Sequence, residues 1–277
     1  MISVRHRASQ VLNAIGLSAS GFFTPYRYTA ASDWARQSDY PEARRHLETG
    51  RDAYRDFLGL IAANRGRFDR MRADPDGPVW DSRFLSALDC AAIYTAVGHF
   101  RPARIVEIGA GHTTRFMARA IRDFGLPSRI VAYDPAPRIP VGEIENVDLV
   151  RRVLLPDDAG DLAGLSPGEL LFVDSSHILQ QGFDVDIILN RILPALRPGV
   201  IVHFHDVFLP YGYPPDWEYL RFNEQCALMP WLLSGRLGTI FPSHYVWRDM
   251  RDDLVARCAG MGLDGDGNGG SFFAVVT

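Results

Sequence analysis

The chain contains no lysine; all 29 of its basic residues are arginine. A lysine Schiff base and a lysine general base are therefore excluded from any mechanism. Cysteine is scarce. Cys90, Cys226 and Cys258 stand far apart with no Cys-x-x-Cys pair, which excludes a thiolate zinc site and a disulfide framework and fits a reducing cytoplasm. No apolar run approaches the length of a membrane span. Residues 11–17 are too short and interrupted for a signal-peptide core. Arginines never run beyond two in a row and the net charge is -4, so the basic stripe of a nucleic-acid partner is missing. Residues 3–17 allow an amphipathic reading, in which packing on the domain or on a second subunit of a homo-oligomer is expected over membrane contact.

What is present is a globular composition, 47% hydrophobic and 22% charged over 277 residues. That suits one large α/β domain with a helical addition. Apolar residues Leu47, Tyr54, Phe57, Leu58 and Ile61 recur at helical spacing over 41–71, after Pro41 at a first turn. A loop follows over 73–78. Asp81 or Ser82 is expected to cap the next helix, with Phe84, Leu85, Leu88, Ala92 and Ala96 on one face. Strands are expected near 104–109, 129–134, 147–153, 169–174 and 199–206, then over 239–246 and 271–276, the last two separated by a turn over 264–270. Helices are expected over 182–196 and 216–234. Strands alternating with helices imply a mostly parallel sheet, with ligands bound beyond the carboxyl ends of its strands.

One stretch carries the chemistry, Arg104-Ile-Val-Glu-Ile-Gly-Ala-Gly-His-Thr-Thr-Arg115. A short strand runs into Glu107-x-Gly109-x-Gly111 and a helix can start directly after it. A second apolar run, Ile130-Val-Ala-Tyr133, ends in Asp134, whose carboxylate can accept hydrogen bonds from two ribose hydroxyls. The layout suits a nucleoside-containing cofactor. The third glycine of the dinucleotide fingerprint is absent, and Thr114 stands in its place. Glu107 would repel a pyrophosphate but could hold an ammonium group. S-adenosylmethionine, with an amino-acid end and no phosphate, fits better than NAD.

The chain here resembles the class I S-adenosylmethionine-dependent methyltransferases, over roughly residues 84–277. The resemblance rests on Val106-Glu-Ile-Gly-Ala-Gly-His-Thr-Thr114, Ala132-Tyr-Asp134, Leu171-Phe-Val-Asp-Ser-Ser-His177, Leu196-Arg-Pro-Gly-Val-Ile-Val-His-Phe-His-Asp-Val207 and Ser271-Phe-Phe-Ala-Val-Val276. The later segments look most like a bacterial branch of macrocin-type O-methyltransferases and cephalosporin-hydroxylase-like proteins. It implies a Rossmann-like, seven-stranded, mostly parallel sheet with helices on both faces over 81–277, and an N-terminal helical extension over 1–80. Residues 21–28, with Tyr26 and Tyr28, resemble a segment that folds over the site as a lid. The residues implied to bind S-adenosylmethionine are Glu107, Gly109, Gly111, His112, Thr113, Asp134 and Asp174.

Acids stand at four expected strand tips, Glu107, Asp134, Asp174 and Asp206. His203 and His205 fall on one face of their strand. With His177, they bring imidazoles and carboxylates to adjacent strand ends. Asp174, His177, His205 and Asp206 are the candidate catalytic groups, a histidine serving to remove a hydroxyl proton. Asp174, His203, His205 and Asp206 are alternatively candidate ligands of a divalent metal, although the macrocin-type enzymes use carboxylate ligands. Asp157 or Asp158 could reach an adenine amino group, and Tyr211 and Tyr213 could form a pocket wall. The expected function is methyl transfer to a hydroxyl of a small molecule: a sugar, glycan precursor or secondary metabolite. The alternatives are N-methylation on the same fold, or a cofactor-binding partner protein without turnover.

Overall fold

The computed structural model describes residues 4–17, 39–80, 82, 84–265 and 269–277. Tyr26, Tyr28, the lid expected over 21–28 and Asp81 lie outside them. The alternating pattern resolves into one seven-stranded sheet: β1 (Arg104–Ile108), β2 (Arg129–Tyr133), β3 (Val147–Val150), β4 (Leu170–Val173), β5 (Ile201–Phe204), β6 (Leu237–Pro242) and β7 (Phe272–Val276). Their spatial order is β3-β2-β1-β4-β5-β7-β6. β7 runs antiparallel to both neighbours and the other pairs are parallel. β4 and β5 are buried along their whole length, as in a sheet covered on both faces. The order reverses between β1 and β4, and the crevice beyond their carboxyl ends is where such sheets bind ligands.

The helices are α1 (Val4–Ala14), α2 (Pro41–Glu48), α3 (Arg51–Ala63), α4 (Arg65–Arg72), α5 (Ala87–Phe100), α6 (His112–Asp123), α7 (Ala159–Ala163), α8 (Asp184–Ile187), α9 (Glu224–Leu233), α10 (Ser243–Asp249) and α11 (Arg251–Arg257). The helix expected over 41–71 is three. Asn64 ends α3 because its amide donates to the Leu60 carbonyl and to Thr95 Oγ1, bonds that compete with helix continuation. The core positions of α3 hold: Tyr54, Phe57, Leu58 and Ile61 are buried. Phe57 stacks on Phe241 of β6 with ring centroids 4.6 Å apart.

Four local expectations change. α5 starts at Ala87, not near residue 82. Its cap is Ser86, whose Oγ accepts from the Asp89 amide at 3.1 Å, and Phe84 and Leu85 precede the helix. The helix expected over 182–196 is α-helical only to Ile187, π-helical over Ile188–Ile192 and 3-10 over Leu193–Ala195, where Pro194 cannot donate to the ladder. The helix expected over 216–234 is a 3-10 segment, Pro215–Leu220, and then α9. Between them Arg221 is left-handed (φ 57), and Asn223 turns its side chain to accept from the Leu179 amide at 2.6 Å. The strand expected over 239–246 stops at Pro242 and α10 follows, because Ser243 donates its amide to the Ser271 carbonyl and its hydroxyl to Asp89.

Candidate active site

Backbone hydrogen bonds carry the parallel ladder one residue beyond each strand. Gly109 donates to the Tyr133 carbonyl, Asp134 to Val150, Asp174 to Ile108 and His205 to Val173, at 2.8 to 3.1 Å. The tips of β1, β2, β4 and β5 therefore sit on one edge. Gly109 has φ +87, and a Cβ there would lie 1.8 Å from the Asp174 carbonyl oxygen. The β1 and β4 tips can approach this closely only because residue 109 is glycine. Gly111 differs. Its φ of 173 is extended backbone, and a Cβ there would meet nothing within 4 Å.

The loop is held from beneath. Glu107 is wholly buried. Its two oxygens accept from Thr113 Oγ1 at 2.6 Å and Thr114 Oγ1 at 2.7 Å, and Thr114 Oγ1 accepts from the Gly111 amide at 2.9 Å. Burial pushes the Glu107 carboxyl up to about 8. Glu107, expected to meet an ammonium group, is enclosed in this structure and anchors the first turn of α6 through both oxygens. Thr113 is likewise buried. Asp134 is half-buried, accepting from the Ala110 amide at 2.9 Å with one oxygen and from the Ala136 amide at 2.7 Å with the other. His112 opens α6 and stacks on Phe84. Its buried Nδ1 has no hydrogen-bond partner among the described residues, and burial, with Arg115 and Arg138, lowers its pKa.

A second cluster forms at the tips of β4 and β5. His177 is left-handed (φ 60), as is Asp206 (φ 56). Non-glycine residues in that region gather at functional sites. His177 Nε2 lies 3.4 Å from Asp174 and 3.4 Å from Asp206, and its Nδ1 lies 2.9 Å from Glu224. His205 Nε2 is 3.7 Å from Asp206. Burial opposes a charged His177, but Asp174 and Glu224 outweigh it and raise its pKa well above the ordinary value. His205 is raised in the same way, against burial, by Asp174 and Asp206. Burial also works against ionised Asp174, yet His205 and His177 hold it down to about 2. Asp206 is raised by burial, with His205 and His177 pulling the other way. The carboxylates stand in front: side-chain exposure is 32% for Asp174 and 19% for Asp206, against 7% for His177 and 5% for His205. The histidine expected to meet the acceptor therefore sits behind carboxylates.

His203 does not join the cluster. It pairs in register between Phe172 of β4 and Phe273 of β7. Its ring stacks on Phe172 at 3.8 Å, and its Nε2 lies 3.1 Å from Ser271 Oγ. Burial holds its pKa well below the ordinary value. Among the described residues no group of three or more His, Cys, Asp and Glu side chains is arranged to hold a metal. Asp174, His203, His205 and Asp206 therefore do not fit as a ligand set, since His203 is turned into the core. Asp158 is bound to Arg152 at 2.6 Å, and Tyr211 donates to Asp249 at 2.9 Å.

The sequence pattern assigned no site role to Glu224, Gln225 or Asp89, although Phe222-Asn-Glu-Gln225 resembles a signature of the same methyltransferase branch. Glu224 is buried behind His177. Gln225 binds the Phe208 amide through Oε1 at 2.8 Å and the Tyr211 carbonyl through Nε2 at 3.1 Å. Asp89, also buried, accepts from Ser86 and Ser243 hydroxyls and from the Gly270 and Ser271 amides at 2.6 to 3.0 Å. It thereby fixes the turn whose Gly270 carbonyl receives the Val207 amide at 3.0 Å. For Asp89 the available signal was Ser86-x-x-Asp89, the spacing of a capped helix start.

Residues 106–207 match the family model described as a methyltransferase domain. The chain has no match among curated proteins. It is similar to the solved O-methyltransferase TomG from Streptomyces achromogenes, involved in tomaymycin synthesis and in complex with SAM: 20% identity, 78% of this chain and 89% of that chain, TM-score 0.40. It is also similar to SAH-bound Podospora anserina methyltransferase PaMTH1 (17% identity, 79% and 93%, TM-score 0.40). A third similar structure is the O-methyltransferase from Bacillus cereus in complex with SAH (17% identity, 78% and 91%, TM-score 0.38). The stretch matched over 106–207, which spans the glycine loop and the tips of β2, β4 and β5, is thus similar to a methyltransferase domain.

Proposed function

We propose that this chain is a methyltransferase that acts on a hydroxyl group of a small molecule (a sugar, glycan precursor or secondary metabolite) in the bacterial cytoplasm. The observation that carries the reading is the space over Gly111, where a Cβ would meet nothing within 4 Å. It adjoins Asp134 on one side and lies on the same sheet edge as the Asp174–His177–His205–Asp206 cluster. The residues fit S-adenosylmethionine: an open backbone cradle, an acid at the β2 tip, an unpartnered His112 Nδ1 and no phosphate-binding cation in the loop. Bound there, the cofactor supplies an electrophilic sulfonium methyl.

The chain's own residues divide the remaining work. Each Asp134 oxygen accepts one backbone amide and keeps a lone pair for a ribose hydroxyl. Glu107, through Thr113 and Thr114, holds the loop and the start of α6. Asp206, partly exposed with a raised carboxyl, takes the hydroxyl proton as the oxygen attacks the methyl carbon. Asp174 faces the same opening. His177 and His205 stand behind, balancing the charge of the two carboxylates, and Glu224 orients His177.

The test is Asp206→Asn. S-adenosylhomocysteine affinity, by calorimetry, should stay within about twofold, and methyl transfer to an acceptor found with methyl-labelled cofactor should fall about 10²–10⁴-fold. A wild-type chain that fails to bind S-adenosylhomocysteine would refute the reading. Normal turnover by the variant would remove Asp206 from the proton step.

A further inference from the structure

The loop that leaves Asp206 builds a wall of aromatic rings beside the cluster. Phe208, buried, meets Tyr213 at 5.8 Å, Trp217 at 5.3 Å and His244 at 5.1 Å, all edge to face. Phe222 closes the wall. Its ring stands edge to face with Trp217 at 6.0 Å and with Tyr213 at 5.9 Å, and lies 4.8 Å from the His177 ring. Phe222 thus touches both the aromatic group and the candidate catalytic cluster. A purely structural cluster would bury its members. Here Phe208 is buried, but Trp217 and Phe222 stay half-exposed.

The wall is held in place by the buried Gln225, which binds the Phe208 amide, the Tyr211 carbonyl and the Tyr213 hydroxyl. A wall held this way loses little freedom when a ligand settles on it. Rings at right angles offer both faces and edges, which suits a planar arene more than a hydrated polyol. His177 and His205 balance Asp174 and Asp206 in the cluster, and the excess of negative charge beside the wall comes from the adjoining 3-10 segment. Asp174 and Asp206 are partly exposed, Asp216 and Glu218 lie on the adjoining 3-10 segment, and Arg221 is paired with Glu218 at 3.2 Å. An anionic acceptor would be repelled.

We propose that the acceptor is an uncharged phenol, seated on Phe222 and Trp217 with its hydroxyl toward Asp206. This rests on the methyl-transfer reading above and narrows its substrate class. The step balances. The phenol O–H proton passes to the Asp206 carboxylate, the phenol oxygen forms the bond to the methyl carbon, and the sulfur–methyl bond breaks with its electron pair remaining on sulfur. The products are an aryl methyl ether and S-adenosylhomocysteine. A phenolic proton, with a pKa near 10, is well within reach of a carboxylate acting as the bond to carbon forms.

The test uses the full chain saturated with S-adenosylhomocysteine. Calorimetric titrations compare 4-methylphenol, catechol and 1-naphthol with methyl β-D-glucopyranoside and 4-hydroxybenzoate. Transfer from methyl-labelled S-adenosylmethionine is then read with the same five compounds. At least one of the three uncharged phenols should bind about tenfold more tightly than the glucoside and the benzoate, and should become labelled. Phe222→Leu and Trp217→Leu should each weaken that binding about tenfold, roughly 1.4 kcal/mol, with S-adenosylhomocysteine affinity kept within about twofold as the check on folding. Labelling of the glucoside in preference to the phenols would overturn the inference, as would labelling of none of the phenols, and both leave methyl transfer standing. Unchanged phenol binding in both variants would overturn the seat. Absence of S-adenosylhomocysteine binding would instead remove the underlying reading.

Discussion

The two glycines of the loop should respond to the same substitution in opposite ways. In Gly109→Ala the new Cβ lies 1.8 Å from the Asp174 carbonyl oxygen, on a backbone with φ +87. Positive φ costs an alanine about 1–2 kcal/mol. Forcing apart the β1 and β4 tips adds about 1–3 kcal/mol, the usual range for overpacking. The sum, about 2–5 kcal/mol, is a large share of the ~5–15 kcal/mol by which such domains are stable. In Gly111→Ala the backbone is extended, φ 173, and the Cβ meets no protein atom within 4 Å. Its stability should change by no more than about 0.5 kcal/mol. If the cofactor approaches the backbone there, the methyl instead occupies ligand space. A clash of about 1–3 kcal/mol lowers affinity for S-adenosylhomocysteine by roughly 5- to 150-fold. Urea unfolding and calorimetry on both variants separate the effects. A Gly109→Ala chain as stable as wild type would refute the packing argument. A Gly111→Ala chain that binds S-adenosylhomocysteine normally would refute the placement of the cofactor.

Glu107 gives a pH signature. Its carboxyl is raised to about 8 in the fold from an ordinary value of 4.5, so the folded chain holds a proton that the unfolded chain releases. Its contribution is fully present below about 4.5 and is lost as pH rises through 8. Unfolding free energy measured in urea across that window should therefore decline less steeply with pH in Glu107→Gln than in wild type; identical slopes would count against a protonated Glu107. Asp89→Ala leaves the Gly270 and Ser271 amides without their acceptor. At about 1–3 kcal/mol for each unmet buried donor, the urea midpoint should fall markedly, and an unchanged midpoint would deny Asp89 its part in holding that turn. Asp134→Ala should weaken S-adenosylhomocysteine binding by about 1–3 kcal/mol, measured calorimetrically; unchanged affinity would take Asp134 out of the ribose role.

Strand spacing, the glycine loop and the acids at the strand tips were legible in the residues because each is a local matter. Period two, turn chemistry and a helix start are all set within a few residues. That is why β1 through β5, Gly109, Asp134, Asp174 and Asp206 stand close to where the pattern puts them. What stayed hidden depends on which segments become neighbours. His203 reads the same as His205 in a strand, and only contacts from other segments show that one ring is packed on Phe172 and Phe273 while the other lies 3.7 Å from Asp206. Glu224 and Phe222 fell inside a helical pattern over 216–234. The chain instead breaks at Arg221, where Asn223 and Glu224 donate their amides to the His177 carbonyl, a bond between residues more than forty apart in sequence. Asp89 reads as an ordinary first-turn acid behind the Ser86 cap until the segment leading into β7 arrives beside it. By itself the sequence determined the elements and the loop that receives a nucleoside cofactor. Only the tertiary structure decided which imidazole was packed between aromatic rings and which were paired with carboxylates, which carboxylates faced the opening and what wall stood beside them, because burial and charge pairing arise from contacts that no local window of residues contains.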